Sequence, residues 1–282
     1  MTSRERLERA LRLEEVDRLP FWVKIFGASY LDFQPEKYRS MGELALADYL
    51  DLDHITWGPS PVVAENERVE SHTEQHDSRR ITTRLTPEGT LRSVEGFDPS
   101  SHSWHPLEFP IKSPDDIRAA RYLYAHTRYR LNPGAVERAR ARLREVGERG
   151  VVMTGVGISP LMELIQHQIG PVNTYVFMAD FPAEMDELIA LMHEDRLRYL
   201  RALLGACPYD YIVSVENTST TLLSPAVFER YCWRHLADYG RLIAEAGSMV
   251  GVVLTSAGVM PPAASIEKIR QVRLRLKSLQ IG

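Results

Sequence analysis

The stretch Val151-Val-Met-Thr-Gly-Val-Gly-Ile-Ser-Pro-Leu-Met-Glu-Leu-Ile-Gln-His-Gln-Ile-Gly170 decides the fold class. Its opening residues are apolar or β-branched in succession rather than in alternation, which predicts a strand covered on both faces, as in a parallel α/β sheet. Gly155 and Gly157 then permit a tight corner at the strand's C-terminal end, Ser159 stands where an N-cap belongs, and Pro160 suits the first helical position. The order is strand, loop, helix. α/β enzymes keep their chemistry at that end of the strand. On the helix, Glu163 and His167 lie four apart and share a face, where they either hold a metal or a substrate polar group or form an exposed surface pair.

The flanking chain repeats this alternation. Upstream, a short charged helix with Leu7, Leu11 and Leu13 leads into the apolar run Phe21–Phe26, read as a first strand, and Ile55–Trp57 is read as a second. Between Glu67 and Gly96 the pattern becomes alternating, with a turn at Pro87-Glu-Gly89, which predicts an inserted β-hairpin. Ser113 is placed to cap a helix with an acidic first turn, and Asn132 to Gly147 is an Arg-rich amphipathic helix. Downstream, Asn173–Met178 and Pro182–Leu204 are helical patterns. Tyr211–Glu216 is a fourth strand running into the polar cluster Glu216-Asn-Thr-Ser-Thr220. Ser224-Pro225 opens a helix from Ala226 to Gly247, and Met249–Leu254 is a fifth strand. The whole reads as an α/β protein of (β/α)8 TIM-barrel type, incomplete at about five of eight strands, with a hairpin insertion.

At 282 residues and 44% hydrophobic, the chain can bury a substantial core. A formal net charge of -4 leaves no electrostatic footprint for nucleic acid, and no apolar run is long enough for a bilayer. The charged N-terminus has no secretory apolar segment, so a cytoplasmic location is expected. Cys207 and Cys232 make neither a disulfide framework nor a CxxC metal motif.

Five phrases carry a resemblance: Met1-Thr-Ser-Arg-Glu-Arg through Asp17-Arg-Leu-Pro20, Thr86-Pro-Glu-Gly-Thr-Leu91, Glu108 to Ile117, the Gly157-Ile-Ser-Pro160 corner, and Glu216 through Cys232. In this order they resemble the uroporphyrinogen decarboxylase superfamily, from the N-terminus to about Gly251. The resemblance implies a TIM barrel and one of two activities: porphyrinogen decarboxylation, or zinc-dependent methyl transfer between corrinoid proteins and thiols. It implies a small-molecule substrate and, in the second branch, a corrinoid protein as partner; a homodimer is left open.

A substrate with many carboxylates calls for guanidinium forks near the first strand, and Phe21–Tyr30 offers Lys24 and no arginine. The decarboxylase acid would fall near Thr56 or Trp57 and its tyrosine near Gln166, and neither residue type is present. The decarboxylase branch therefore stands as the alternative. The methyltransferase branch resembles this chain more closely, but its His-x-Cys zinc ligands would fall at Val253 and Thr255. Zinc belongs to the intact relatives, and no metal ligand is assigned here. Glu216, His167 and Glu163 are the candidate catalytic residues. Lys24, Trp57, Gly157, Gln166, Asn217 and Thr218 are the candidate substrate contacts at the mouth of the sheet. A third reading makes the chain a non-catalytic small-molecule binding protein.

Residues 1–254 form the partial barrel in this reading, and 255–282 a divergent basic tail. The tail's apolar face, Ile266, Ile269, Val272, Leu276 and Leu279, could pack on the open side of the sheet, on a partner, or loosely on the surface. One codon spelling of Leu254-Thr-Ser-Ala-Gly258, read two bases later, encodes His-Phe-Cys-Gly. A frameshift near Gly251–Leu254 is therefore expected to account for the lost ligands, the lost strands and the unfamiliar tail, and the gene sequence tests it.

Overall fold

The computed structural model describes residues 1–25, 30–205, 209–217, 219–248 and 265–278. At its centre is β8 (Gly150–Gly155), the strand of the quoted stretch, flanked in parallel by β1 (His54–Trp57) and β9 (Tyr211–Val213) in the order β1-β8-β9. Ile55 is level with Val151, and Met153 with Tyr211.

Both faces of β8 are covered, as its composition requires. Val151 and Met153 meet Leu7 and Leu11 of α1 (Ser3–Leu11), together with Ile55, Tyr211 and Val213. Val152 points the other way, onto Leu44 of α3 (Glu43–Leu50) and Ala139 and Val146 of α5 (Pro133–Val146). Further along that second face, Val156 and Ile212 pack under α8 (Pro182–Leu204) and α10 (Arg234–Glu245). Arg4 fixes α1 near the N-terminal ends of the strands by a two-pronged bond to Asp210, at 2.8 and 2.9 Å.

A first barrel strand at Phe21–Phe26 is not borne out across 21–25, which are irregular; Phe26 lies outside the described residues. One backbone bond links the stretch to the edge of the sheet, from the Asp53 amide to the Phe21 carbonyl at 2.8 Å, and side chains make the neighbouring links. The Asp53 carboxylate accepts from the Phe21 amide at 2.8 Å, the Trp22 indole donates to the Ile55 carbonyl at 3.0 Å, and Ile25 turns back on Val23. The edge of β1 is thus met by an indole where a strand was expected. The fifth strand, Met249–Leu254, and the site of the inferred frameshift lie outside the described residues. Among the described residues the parallel sheet has three strands and no barrel is closed: the fold is mixed α/β with a parallel sheet.

The inserted hairpin is larger than expected. It is an antiparallel sheet of β3 (Glu70–His76), β4 (Arg79–Thr86), β5 (Gly89–Asp98) and β6 (Ser103–Glu108), with a bulge at Val94/Glu95. An unforeseen antiparallel pair, β2 (Val62–Glu65) and β7 (Arg128–Leu131), leads away from the end of β1. Ser113 caps α4 (Pro114–His126) as its position suggested, and Asn132 caps α5.

The two Ser-Pro corners open helices of one design. α6 (Pro160–Glu163) passes into a π-helical stretch, Leu164–Gln168, and is followed by α7 (Pro171–Asp180). α9 (Pro225–Phe228) passes into the π stretch Glu229–Trp233 and on into α10. The corners pack on each other through Leu161, Met162, Ile165, Leu223 and Cys232.

The tail forms α11 (Ile266–Ser278), which lies on α3 and on α2 (Glu36–Arg39) and not on the sheet. Ile266 and Ile269 are buried as expected, but Val272 is exposed and Arg273 takes the third buried position. The reason is Asp51 at the left-handed end of α3: its carbonyl and carboxylate both accept from Arg273 Nε at 3.0 Å. No helix among the described residues is long and apolar enough to cross a membrane.

Candidate functional site

Beyond the C-terminal end of β8 the chain turns through Gly157, whose φ of +92° is open to glycine at little cost. The loop after β9 runs beside it. Ser214 Oγ donates to the Gly157 carbonyl at 2.7 Å. Two residues on, Glu216 accepts from the Ser159 amide at 3.0 Å and from the Ser159 hydroxyl. Tyr199 of α8 donates to the Gly155 carbonyl at 3.2 Å, and the Trp57 indole lies over Gly155, where an added Cβ would stand 3.4 Å from its ring. The corners after β8 and β9, the end of β1 and one face of α8 therefore share one location, as parallel strands require.

Of the sequence-predicted residues, Glu216, Gly157 and Trp57 come together here. Glu163 and His167 do not act as a pair. The π stretch adds a residue to the turn, so Glu163 aligns with the residue five on and accepts from Gln168 Nε2 at 2.9 Å, while His167 is exposed. Asn217 is also exposed, and its side chain closes a local turn by accepting from the Ser219 amide at 3.3 Å. Among the described residues neither Lys24 nor Gln166 hydrogen-bonds to any of these groups, and Thr218 lies outside the described residues.

Burial raises the proton affinity of the Glu216 carboxyl above that of an ordinary glutamate, and the two bonds from Ser159 pull it partly back. This is the electrostatic setting of a general acid or base, with the carboxyl held in one orientation. Cys232, packed against the same serine, is an inert thiol: burial pushes it up to about 11, Ser159 lowers it and Glu216 raises it. A thiolate-rich zinc site does not fit these residues. Among the described residues no three His, Cys, Asp or Glu side chains come together to hold a metal, and the positions at which the resemblance would put zinc ligands, Val253 and Thr255, lie outside them.

Sequence reasoning missed Arg196 and Tyr239. The Arg196 guanidinium rests against Gly157, and the Tyr239 hydroxyl is acted on by the charges of both Arg196 and Glu216. One signal was available in the sequence. Asp195 breaks the buried stripe of α8 between Met192 and Leu200, and a charge on an apolar helical face marks a polar region beneath it. A cleft of about 610 Å³ lies elsewhere, beyond β2 and the end of α4, walled by Arg68, Tyr122, His126, Arg128 and Arg198 among others. None of the predicted site residues lines it.

Fold and site together define a mixed α/β protein with a carboxyl-centred corner at the C-terminal edge of a parallel sheet. No family model and no curated protein matches the chain. Among solved structures it is similar to a methyltransferase from Methanosarcina mazei, at 17% identity and a TM-score of 0.47, over 86% of this chain and 67% of that one.

Proposed function

We propose that the chain is a methyltransferase-like protein of the uroporphyrinogen decarboxylase superfamily that binds a small molecule at the corner formed by Gly157, Ser159 and Glu216, and that as this chain it does not carry out zinc-dependent thiol alkylation. The observation that carries the reading is the Glu216–Ser159 link. It joins two of the five stretches that carry the resemblance, at the end of the sheet where such proteins bind ligands. The carboxyl would orient the ligand or exchange a proton with it. The decarboxylase alternative is favoured by no observation, since the stretch 21–25 presents a single lysine and no guanidinium.

The test is metal and turnover together. Purified protein dialysed against zinc is expected to retain substoichiometric metal and to form no thioether from a methyl-corrinoid and a thiol. Uncharged small molecules that raise the melting temperature are expected to lose that effect in Glu216→Gln. One tightly held zinc per chain with thiol methylation would overturn the reading.

A further inference from the structure

Arg196 differs from the other arginines around the sheet. It projects from α8 to the β8 corner, where an added Cβ on Gly157 would stand 2.5 Å from Nη1, 2.6 Å from Cζ and 3.0 Å from Nη2. The guanidinium therefore lies flat against the corner backbone, in space that the absence of a side chain provides. Among the described residues it makes no hydrogen bond and no ion pair; a tyrosine ring, Tyr199, is 6.0 Å away. The adjacent acid is already committed, because Asp195 accepts from the Tyr129 hydroxyl at 2.8 Å and from Arg198 at 3.1 Å. Glu216 is committed to Ser159.

A second group beside it also lacks an acceptor. Tyr239 on α10 is 1% exposed, and among the described residues its hydroxyl has no hydrogen-bond partner. The Tyr239 ring packs in one cluster with Val156, the residue before Gly157, and with Leu197, the residue after Arg196. A buried hydroxyl and a partly buried guanidinium without acceptors are each unfavourable, and buried polar groups are paired in the great majority of proteins. Arg196 and Gly157 are only half-buried, so the fork keeps an open side. Among the described residues these two donors meet no acceptor, near the end of the strand where α/β proteins take their ligands.

We propose that Arg196 and Tyr239 form an oxyanion-binding subsite beneath the Gly157 corner, holding the carboxylate or phosphate group of the molecule bound beside Glu216. The planar guanidinium gives two parallel donors to such a group, and the hydroxyl a third. The assignment rests on the small-molecule reading of the same corner. It makes the ligand an anion, with the Glu216 carboxyl facing its uncharged part.

The experiment is thermal unfolding of the full chain in sodium malonate, inorganic phosphate or sodium chloride at matched ionic strength. The expected result is a saturable rise of about 3–5 °C at ten times the dissociation constant with malonate or with phosphate, and none with chloride. A response to malonate alone identifies a carboxylate ligand, and a response to phosphate alone a phosphate ester. Arg196→Met is expected to weaken the response about tenfold or more, and Tyr239→Phe by less. Should Arg196→Met fold poorly by circular dichroism, the wild-type protein serves instead: the Arg196 Nε–H resonance moves on titration with the same anions. The subsite is overturned by an absent response, by a response unchanged in well-folded Arg196→Met, or by an Nε–H resonance that stays still at saturation. In Glu216→Gln the anion response is expected to persist. If it persists while no small molecule shows Glu216-dependent binding, the reading of Glu216 fails and the subsite stands; the opposite pattern removes the subsite alone.

Discussion

Residues 159–168 and 224–233 begin alike and end differently. Each opens on Ser-Pro, makes one α turn, and enters a π stretch five residues after its serine. Ser224 caps its own helix, accepting from the Val227 amide at 3.3 Å. Ser159 makes no cap; its hydroxyl donates to Glu216, and its own amide does the same. Around Ser159 the helix start is buried through Pro160, Leu161 and Met162, whereas α9 buries none of its residues. The same dipeptide thus caps where water surrounds it and clamps a neighbouring loop where a buried carboxyl offers a better acceptor, since charge-assisted bonds are roughly twice as strong as neutral ones.

The largest expected effect comes from removing the acceptor. Glu216→Ala removes the carboxylate acceptor of both the amide and the hydroxyl of Ser159, a residue with 0% exposure, and should cost about 3 kcal/mol in urea denaturation. A loss near zero would mean that the two corners do not depend on each other. Ser159→Ala should cost about 2 kcal/mol, because the Glu216 carboxyl keeps one of its two donors. In a double-mutant cycle, Ser159→Ala and Glu216→Gln should show a coupling of about 1–2 kcal/mol, and strict additivity would break the comparison. Ser224→Ala should cost only about 1 kcal/mol, the ordinary value of a cap, and should not couple to Glu216.

The mildest effect concerns pH and reaches the second corner through α10. His193 of α8 and His235 of α10 lie with ring centroids 4.3 Å apart and planes tilted by 52°. Burial lowers both, His235 to about 4 with the neighbouring His193 adding to the effect, while Asp238 opposes the change. Their folded values lie below the unfolded 6.5, so the fold favours the neutral rings. The stability they contribute is complete above 6.5 and declines as pH falls from there towards about 4. Both rings are half-buried, so the decline should be gentle. His235→Phe should flatten the stability profile across that window, and an unchanged slope would remove the assignment.

The strand, corner and helix starts at 150–160 were legible because each is written within a few residues. β-branched side chains favour the extended chain, glycine tolerates φ of +92°, and serine followed by proline starts a helix. The run Phe21–Phe26 carried the same apolar signal and misled. Its hydrogen-bond partners came from Asp53 and Ile55, which no local pattern announces. Glu163 and His167 were correctly spaced for an α-helix, and the π stretch separated them.

The sequence by itself determined that a covered parallel strand ends in a glycine corner followed by a Ser-Pro helix, that Ser113 caps its helix, and that an alternating segment turns back on itself as an antiparallel insertion. Only the tertiary structure decided that Ser159 binds a carboxyl 57 residues away, that Arg196 lies beneath Gly157, and that Arg273 displaces Val272 from the buried face of α11. The physical reason is the range of the forces. Backbone preference is set by each residue and its near neighbours, whereas the partner of a buried polar group is whichever acceptor the packed chain brings within about 3 Å.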